Sequence, residues 1–583
     1  MFESIFRALT RYSLIWWAGA SVLLLVSACT TVPVERATPS VSQQPAEKTG
    51  ERPAAGGLSN ELIYEFLLGD VAARRDDIST AARSMAKAAL WSGDRHVILR
   101  AFQLSMRAGE GQLALEMANL LLEQEPDSVR ARTLVAQALI ALDRPQEVFE
   151  NLLALVQAPQ PGAASAFMHI AEVLVRQKTP RRWLDLFERL LTNYPSLPEA
   201  HLAFARVAHR AGELPRARQS IEHALALRPN FTEAAEAMLG LLNEQSAHKE
   251  LRAFAEAFLE QYADEGEVRL RYARILLQWD DSERSLYHFN QLVLREPNNP
   301  DGLYAAGLLS LNKADYDRAE NLLLRHLRLR PGHDQTRLFL ARLKRERDQF
   351  DQARQWLRQV SDPKYYLEAQ LRIAYVFAAE SRFEEASAHL ADIVPDSVSD
   401  QVRIYLAQEE LLRQAGRMDD AYSLLNAALA DLPDEPELLY ARGLVTAQMD
   451  ILDVHERDMR RLIALKPDHA HAYNALGYTL ADRTDRYDEA LILIEKALAL
   501  KPGDPFILDS IGWVHYRLGH REKARAYLQQ AIDLRPDAEI AAHLGEVLWM
   551  MERHDEARAV WRHGESLDSD NKTLRDTLRR LLE

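Results

Sequence analysis

Ser-x-x-Lys tetrads such as Ser84-Met85-Ala86-Lys87 and Ser246-Ala247-His248-Lys249 have the spacing that most resembles a nucleophile and its base. On a helix that spacing sets a lysine one turn from a serine, as Ser–Lys acyl transfer requires. Such a pair also needs partner motifs and a pocket, and the sequence shows neither. In a helical chain containing both residue types the tetrad arises by chance. Among the 18 histidines, His469 and His471 fall near an inter-element turn, and His515 and His520 share one helix-turn region. No carboxylate and histidine set stands at ligand spacing around them, so a packing or surface role is the better reading. HExxH, GxSxG, Walker and GxGxxG patterns are missing. The chain therefore reads as a non-enzyme, with no catalytic residue, no metal and no cofactor.

One residue is set up for chemistry by its position. Cys29 is the only cysteine, and it directly follows the apolar run YSLIWWAGASVLLLVSA, which Arg7 and Arg11 precede. A short basic region, an apolar core and small residues at its end mark an export signal. Val26-Ser27-Ala28-Cys29 resembles the lipobox of bacterial lipoproteins. That resemblance implies a diacylglyceryl group on the Cys29 thiol, cleavage before it, and acylation of the new amino terminus. The competing reading is a permanent transmembrane helix, but a 17-residue run is at the short end for a span. Thr30 follows the cysteine where an Asp resembles an inner-membrane retention signal, so the resemblance leans to an outer-membrane anchor facing the periplasm. Residues 1–28 are thus read as signal peptide. Residues 29–57 are read as lipidated Cys29 and a tether, rich in Pro, Gly, Ser, Thr and charge, with no periodicity.

The formal net charge is −15, and −16 without the signal. A duplex-binding protein needs a basic face to neutralise phosphates, so no nucleic-acid partner is expected.

From Leu58 onward a repeat dominates. Short apolar runs ending in Pro recur at Pro195, Pro229, Pro297, Pro331, Pro467, Pro502 and Pro536, separated by 34 or 35 residues or multiples of 34. Within the last unit Gly512, Ala524 and Ala531 stand 24, 12 and 5 residues before the Pro, and Ala205, Ala217 and Ala224 fill the same places before Pro229. Small residues fit where two helices cross closely. The Pro ends the second helix and restricts the residue before it. RYDEA at 486–490, DYDRA at 315–319 and QFDQA at 349–353 mark the central turn. Irregular places are 238–280, where a Pro is missing; a short unit near Pro395; a long one near Pro433; and the unit after Met449, which lacks the usual central turn and is expected to have longer helices.

The period and the small residues resemble tetratricopeptide repeats. That family implies an all-α, right-handed superhelical solenoid over 58–583, with space for about 15 helix pairs, roughly 11–14 of them recognisable. In such a superhelix the first helix of each unit lines the concave face. Counted from Gly477, the inward positions are His471, Asn474, Tyr478 and Ala481, then Phe506, Asp509, Trp513 and Tyr516, then Glu539, Ala542, Glu546 and Trp549. Exposed aromatics are typical interaction anchors, and simple packing against neighbours is the alternative. Trp183, Trp356 and Trp549 otherwise sit at core spacing. Some chaperone-binding relatives clamp a terminal carboxylate with basic and amide groups; Asn474 matches one clamp place, but Asp509 stands where the next Asn belongs.

Lipobox, tether and a repeat array of this length together resemble the tetratricopeptide-repeat lipoproteins of pseudomonads that partner a carboxyl-terminal processing protease. The resemblance implies an adaptor that activates a periplasmic serine protease and delivers peptidoglycan endopeptidases to it, which limits cell-wall hydrolysis. A scaffold for envelope assembly, whether cell-wall synthesis, polysaccharide export or outer-membrane biogenesis, fits the same residues. The anchor is tested directly: Cys29→Ser should abolish incorporation of labelled palmitate and leave uncleaved precursor, both visible on one gel.

Overall fold

A computed structural model describes residues 60–158, 162–177 and 179–582. The signal, Cys29 and the tether lie outside the described residues. Among the described residues there are 31 α-helices and no strand, arranged as fifteen consecutive pairs and a last single helix, Lys572–Leu582. The chain is an all-α array of tetratricopeptide-type helix pairs. Contact grouping divides it into two compact units, one up to Gly302 and one from Leu303. No described helix is long and apolar enough to cross a membrane.

The period is visible in the backbone. The residues before Pro229, Pro297, Pro331, Pro467, Pro502 and Pro536 all have φ between −147° and −119° with ψ between 75° and 104°. That is the extended side of the map to which a following proline confines a residue. The turns inside the pairs repeat as well. Ser246, Asp280, Ala314 and Asp348, each 34 residues after the last, have φ of 54°, 59°, 58° and 55°. Each ends a first helix in the left-handed conformation, which short polar residues tolerate better than Ala.

The small residues do what their spacing predicts. A Cβ on Gly477 would lie 2.6 Å from Ile494 Cγ1 and 3.0 Å from the carbonyl oxygen of Ala490. One on Gly512 would lie 2.7 Å from Leu528 Cγ and 3.2 Å from the oxygen of Ala524. Gly307 meets Leu323 in the same way. Ala490, Ala497, Ala524 and Ala531 are wholly buried on the second helices. Close crossing lets Ile494 and Leu528 fill the space between helices, and each such buried side chain contributes about 1.5–3 kcal/mol.

The irregular stretches resolve into the same pattern. The stretch 238–280 contains ordinary helices, Thr232–Glu244, His248–Gln261 and Gly266–Gln278. Ala263 stands in the proline's place, and Tyr262 before it keeps the extended conformation (φ −121°, ψ 68°), its ring 5.1 Å from that of Phe258. The unit near Pro395 is short because its second helix, Phe383–Ala391, has 9 residues. The unit near Pro433 is long because its first helix, Val398–Gln414, has 17. The expectation of an absent turn after Met449 is corrected. Asp450 has φ 62° and separates Pro436–Gln448 from Leu452–Leu465, so the pair has ordinary lengths.

Gly477→Val should lower stability by roughly 1–3 kcal/mol, because its methyl groups meet backbone that cannot move aside. Thermal melting of the variant against the parent chain measures it.

Candidate functional site

The inward residues of the C-terminal unit are carried by three first helices, Ala470–Arg483, Pro505–Arg517 and Ala538–Met550. The start of the middle one is fixed locally. Asp504 accepts hydrogen bonds from the N–H groups of Phe506 and Ile507, and Pro505 occupies the first turn. Both features favour a helix start, and they set Phe506, Asp509 and Trp513 on one face.

The structure gathers Tyr478, Phe506, Trp513 and Tyr516 into one aromatic cluster. The Trp513 ring stacks on His543 at 4.4 Å and 28° and lies 5.1 Å from Tyr516. The Arg535 guanidinium sits 4.8 Å over the Phe506 ring. Asp509 is buried and holds His543 Nδ1 through both carboxylate oxygens, at 2.9 and 3.1 Å. Tyr516 donates its hydroxyl to Glu546 at 3.0 Å, and Arg580 donates to the other Glu546 oxygen. The His471 side chain is 37% exposed. Lys501 Nζ lies 3.0 Å from its Nε2, and burial together with that cation pushes the imidazole below its usual range. Burial raises the phenols of Tyr478 and Tyr516, the latter to about 12.

Two polar groups in this cluster stand out. Asn474 is 1% exposed, and neither its amide nitrogen nor its amide oxygen has a hydrogen-bond partner. Trp513 Nε1 is buried and unpartnered too. Burying such groups without partners is costly, so the cluster can still accept a donor and an acceptor. Glu539 is buried at the edge of the same face. Trp549 does not join the cluster; its ring packs 5.6 Å from Trp561 and 4.2 Å from His554. His543, Arg535 and Arg580 were not among the candidates read from the sequence. His543 follows Asp509 by 34 residues, and that register was the signal that could have found it.

A second concavity lies in the N-terminal unit. First helices from Ala163–Val175 to Gly266–Gln278 line a groove of about 820 Å³. Ala171, Ala205 and Leu241 line it, and Arg206 and Arg271 face it. Gly240 leaves space for Arg271, whose Nη2 would lie 2.8 Å from a Cβ there. No sequence candidate fell here, because the offsets from Gly477 reach only the C-terminal pairs. A smaller hollow of about 270 Å³ in the C-terminal unit is lined by Glu409, Glu410, Arg413, Glu437, Tyr440 and His469. Tyr375 donates to Glu410 at 3.0 Å. Burial pushes Glu409 up to about 7 and raises Glu410.

The Ser-x-x-Lys tetrads do not form dyads. Lys87 is ion-paired to Glu65 at 2.9 Å rather than to Ser84. Ser246 is the left-handed turn residue between two helices. Among the described residues no group of three or more His, Cys, Asp or Glu could hold a metal ion.

A TPR repeat-containing protein of Pseudomonas aeruginosa is 31% identical over 530 residues, covering 90% of this chain and 89% of that protein. The chain belongs to the tetratricopeptide-repeat family. The family's repeat patterns match residues 303–365, 456–505 and 510–562. The human protein O-mannosyl-transferase TMTC1 is 26% identical over 179 residues, which is 29% of this chain and 20% of that protein. Of solved structures, a thermophilic TPR protein of Thermus thermophilus is 27% identical, covering 31% of this chain and 98% of that one, with a TM-score of 0.29. The APC/C hetero-tetramer Cut9–Hcn1 is 17% identical, covering 84% and 97%, with a TM-score of 0.30. Superpositions that loose carry no functional argument. Repeats of this family serve as protein-binding scaffolds.

Glu409 gives a pH test with a definite sign. Its folded-state pKa is raised, so the folded chain holds that proton more tightly than the unfolded chain does. Stability from this group is present below the unfolded value of 4.5 and is lost as pH rises through about 7. Glu409→Gln should therefore match the parent closely in stability at pH 5, and exceed it at pH 8 by up to about 3 kcal/mol. Denaturant titrations of both chains at the two pH values measure it.

Proposed function

We propose that this chain is a non-catalytic lipoprotein adaptor, anchored through Cys29 in the outer membrane and facing the periplasm. It binds and activates a periplasmic carboxyl-terminal processing serine protease and delivers peptidoglycan endopeptidases for degradation, which limits cell-wall hydrolysis. The observation that carries this reading is the aromatic cluster of Tyr478, Phe506, Trp513 and Tyr516, with Asn474 and Trp513 Nε1 buried beside it and unpartnered. Tyr478, Phe506 and Trp513 are buried and Tyr516 is half-buried, so the cluster acts as a rigid aromatic floor whose unused donors and acceptor would be met by a segment that displaces its cover. The N-terminal unit has a groove of its own. One chain can therefore hold two partners, protease and substrate, and raise their effective concentration without supplying a catalytic group. The catalytic serine and lysine belong to the protease. The lipobox and the similarity to a Pseudomonas TPR protein over nine-tenths of the chain support the same reading.

The test is capture of partners from the periplasm. The full chain, tagged and lightly cross-linked, is purified from cells carrying a catalytically inactive protease so that substrates persist. The expected result is recovery of the protease with cell-wall endopeptidases, and loss of at least one of them with Trp513→Ala. Recovery of a polysaccharide-export or outer-membrane assembly complex without a protease would move the function to an envelope scaffold.

A further inference from the structure

The large groove of the N-terminal unit owes its depth to one residue. Arg206 and Gly240 are the ninth residues of the first helices Pro198–Arg210 and Thr232–Glu244, the place that Tyr478 and Trp513 hold in theirs. Where the C-terminal unit sets a ring, Gly240 sets nothing. This glycine serves no helix crossing. A Cβ on Gly477 or Gly512 would meet the second helix of its own pair, whereas one on Gly240 would meet only the Arg271 guanidinium, with Nη2 at 2.8 Å and Cζ at 3.8 Å. Glycine inside a helix costs stability relative to alanine. What it provides here is a place for the Arg271 guanidinium against the groove wall.

The charges that line the groove do not balance. Arg176, Arg206, Arg210 and Arg271 stand against Glu172 and Glu244. Both glutamates are taken within the chain: Arg176 donates to Glu172 at 2.6 Å, and His209 donates to Glu244. Arg210 donates to the carbonyl oxygen of Val175 at 3.4 Å. Arg206 and Arg271 have no hydrogen bond and no ion pair among the described residues, and both are exposed. Glu236 is influenced by both arginines but bonded to neither, and burial raises its carboxyl. The floor between them is apolar, with Ala171, Ala205, Ile221 and Leu241 all buried. In a chain of net charge −15, two unpaired cations over an apolar floor set the sign of what binds there.

We infer that this groove binds an extended segment of a partner protein in which an acidic side chain stands between apolar ones. The carboxylate meets Arg271 above Gly240, with Arg206 on the neighbouring first helix adding charge, and the apolar neighbours lie on the floor. The inference rests on the adaptor reading and adds the chemistry of one bound segment. The space suits such a ligand. The groove measures about 820 Å³ and crosses four first helices, from Ala163–Val175 to Gly266–Gln278. Neighbouring helices pack about 8–10 Å apart, so three steps span roughly 25–30 Å, the length of about eight extended residues. A guanidinium free of partners makes a forked, charge-assisted contact with a carboxylate.

The experiment selects random octapeptides, displayed as internal linkers so that no free terminus is offered, on the immobilised full chain in detergent. Peptides that also bind a chain carrying both Arg206→Gln and Arg271→Gln are discarded. The best survivor is then measured as a labelled peptide with blocked ends by fluorescence anisotropy. Survivors should carry Asp or Glu flanked by apolar residues. Arg271→Gln should weaken binding about tenfold. Changing the peptide's acid to its amide should do the same, with little further loss when the two changes are combined. Gly240→Ala puts a methyl group where the Arg271 guanidinium lies and should weaken binding severalfold. It should nevertheless melt at or above the parent temperature, because it favours the helix and meets no other atom within 4 Å. That separates lost binding from lost folding. No survivors, survivors without an acidic residue, or equal affinity of parent, Gly240→Ala and Arg271→Gln would overturn the inference. Displacement of the labelled peptide by inorganic phosphate as readily as by the unlabelled one would overturn it too, by making the site a general anion site. No protease is present in this assay, so its failure leaves the adaptor reading standing, and failure of partner capture leaves this result intact.

Discussion

Every feature of this chain depends on how closely the two helices of a pair cross. At Gly477 and Gly512 the space for a Cβ is already taken by Ile494 and Leu528 and by the backbone of Ala490 and Ala524. That closeness buries one stripe of each first helix against its own partner. The opposite stripe then faces inward and is free to carry polar and aromatic groups. The core could tolerate many apolar side chains of suitable size elsewhere, but at these positions it tolerates almost none. The repeat is thus a steric constraint first and a sequence pattern second.

The inward stripe is held in place by bonds between successive repeats. Asp509 reaches His543, Tyr375 reaches Glu410, and Arg580 reaches Glu546, across 34 or 35 residues each time. These contacts fix side chains before any partner arrives, so less conformational freedom is lost on binding. What remains unsatisfied is then informative. Asn474 and Trp513 Nε1 are buried without a hydrogen-bond partner, while Asp509 and His543, and Tyr516 and Glu546, are paired.

The fold was largely legible in the sequence, because the physical demands recur at fixed places. Proline stops a second helix, an extended residue precedes it, and a small residue marks the crossing. Two units were hidden because Ala263 stands where the proline belongs, and because ILDVH at 451–455 replaces the RYDEA-type turn pattern, with His455 in the place of its Ala. That Tyr478, Phe506, Trp513 and Tyr516 share one face was legible as well, since their offsets from Gly477 and Gly512 repeat. Its chemistry was not. That His543 would stack on Trp513 while bonding Asp509 depends on the rotation between neighbouring pairs, which no single helix encodes. Trp549 shows the same limit: its offset matches Tyr516, yet Trp561 draws it away from the cluster.

The central claim is that partners are held on the inward faces of first helices. Hydrogen–deuterium exchange on the full chain, with and without an inactive carboxyl-terminal processing protease, tests it most directly. The account predicts that protection concentrates on first helices such as Ala470–Arg483 and Pro505–Arg517. Protection confined to second helices such as Tyr487–Leu500 and Arg521–Leu534, or no protection at all, would contradict it.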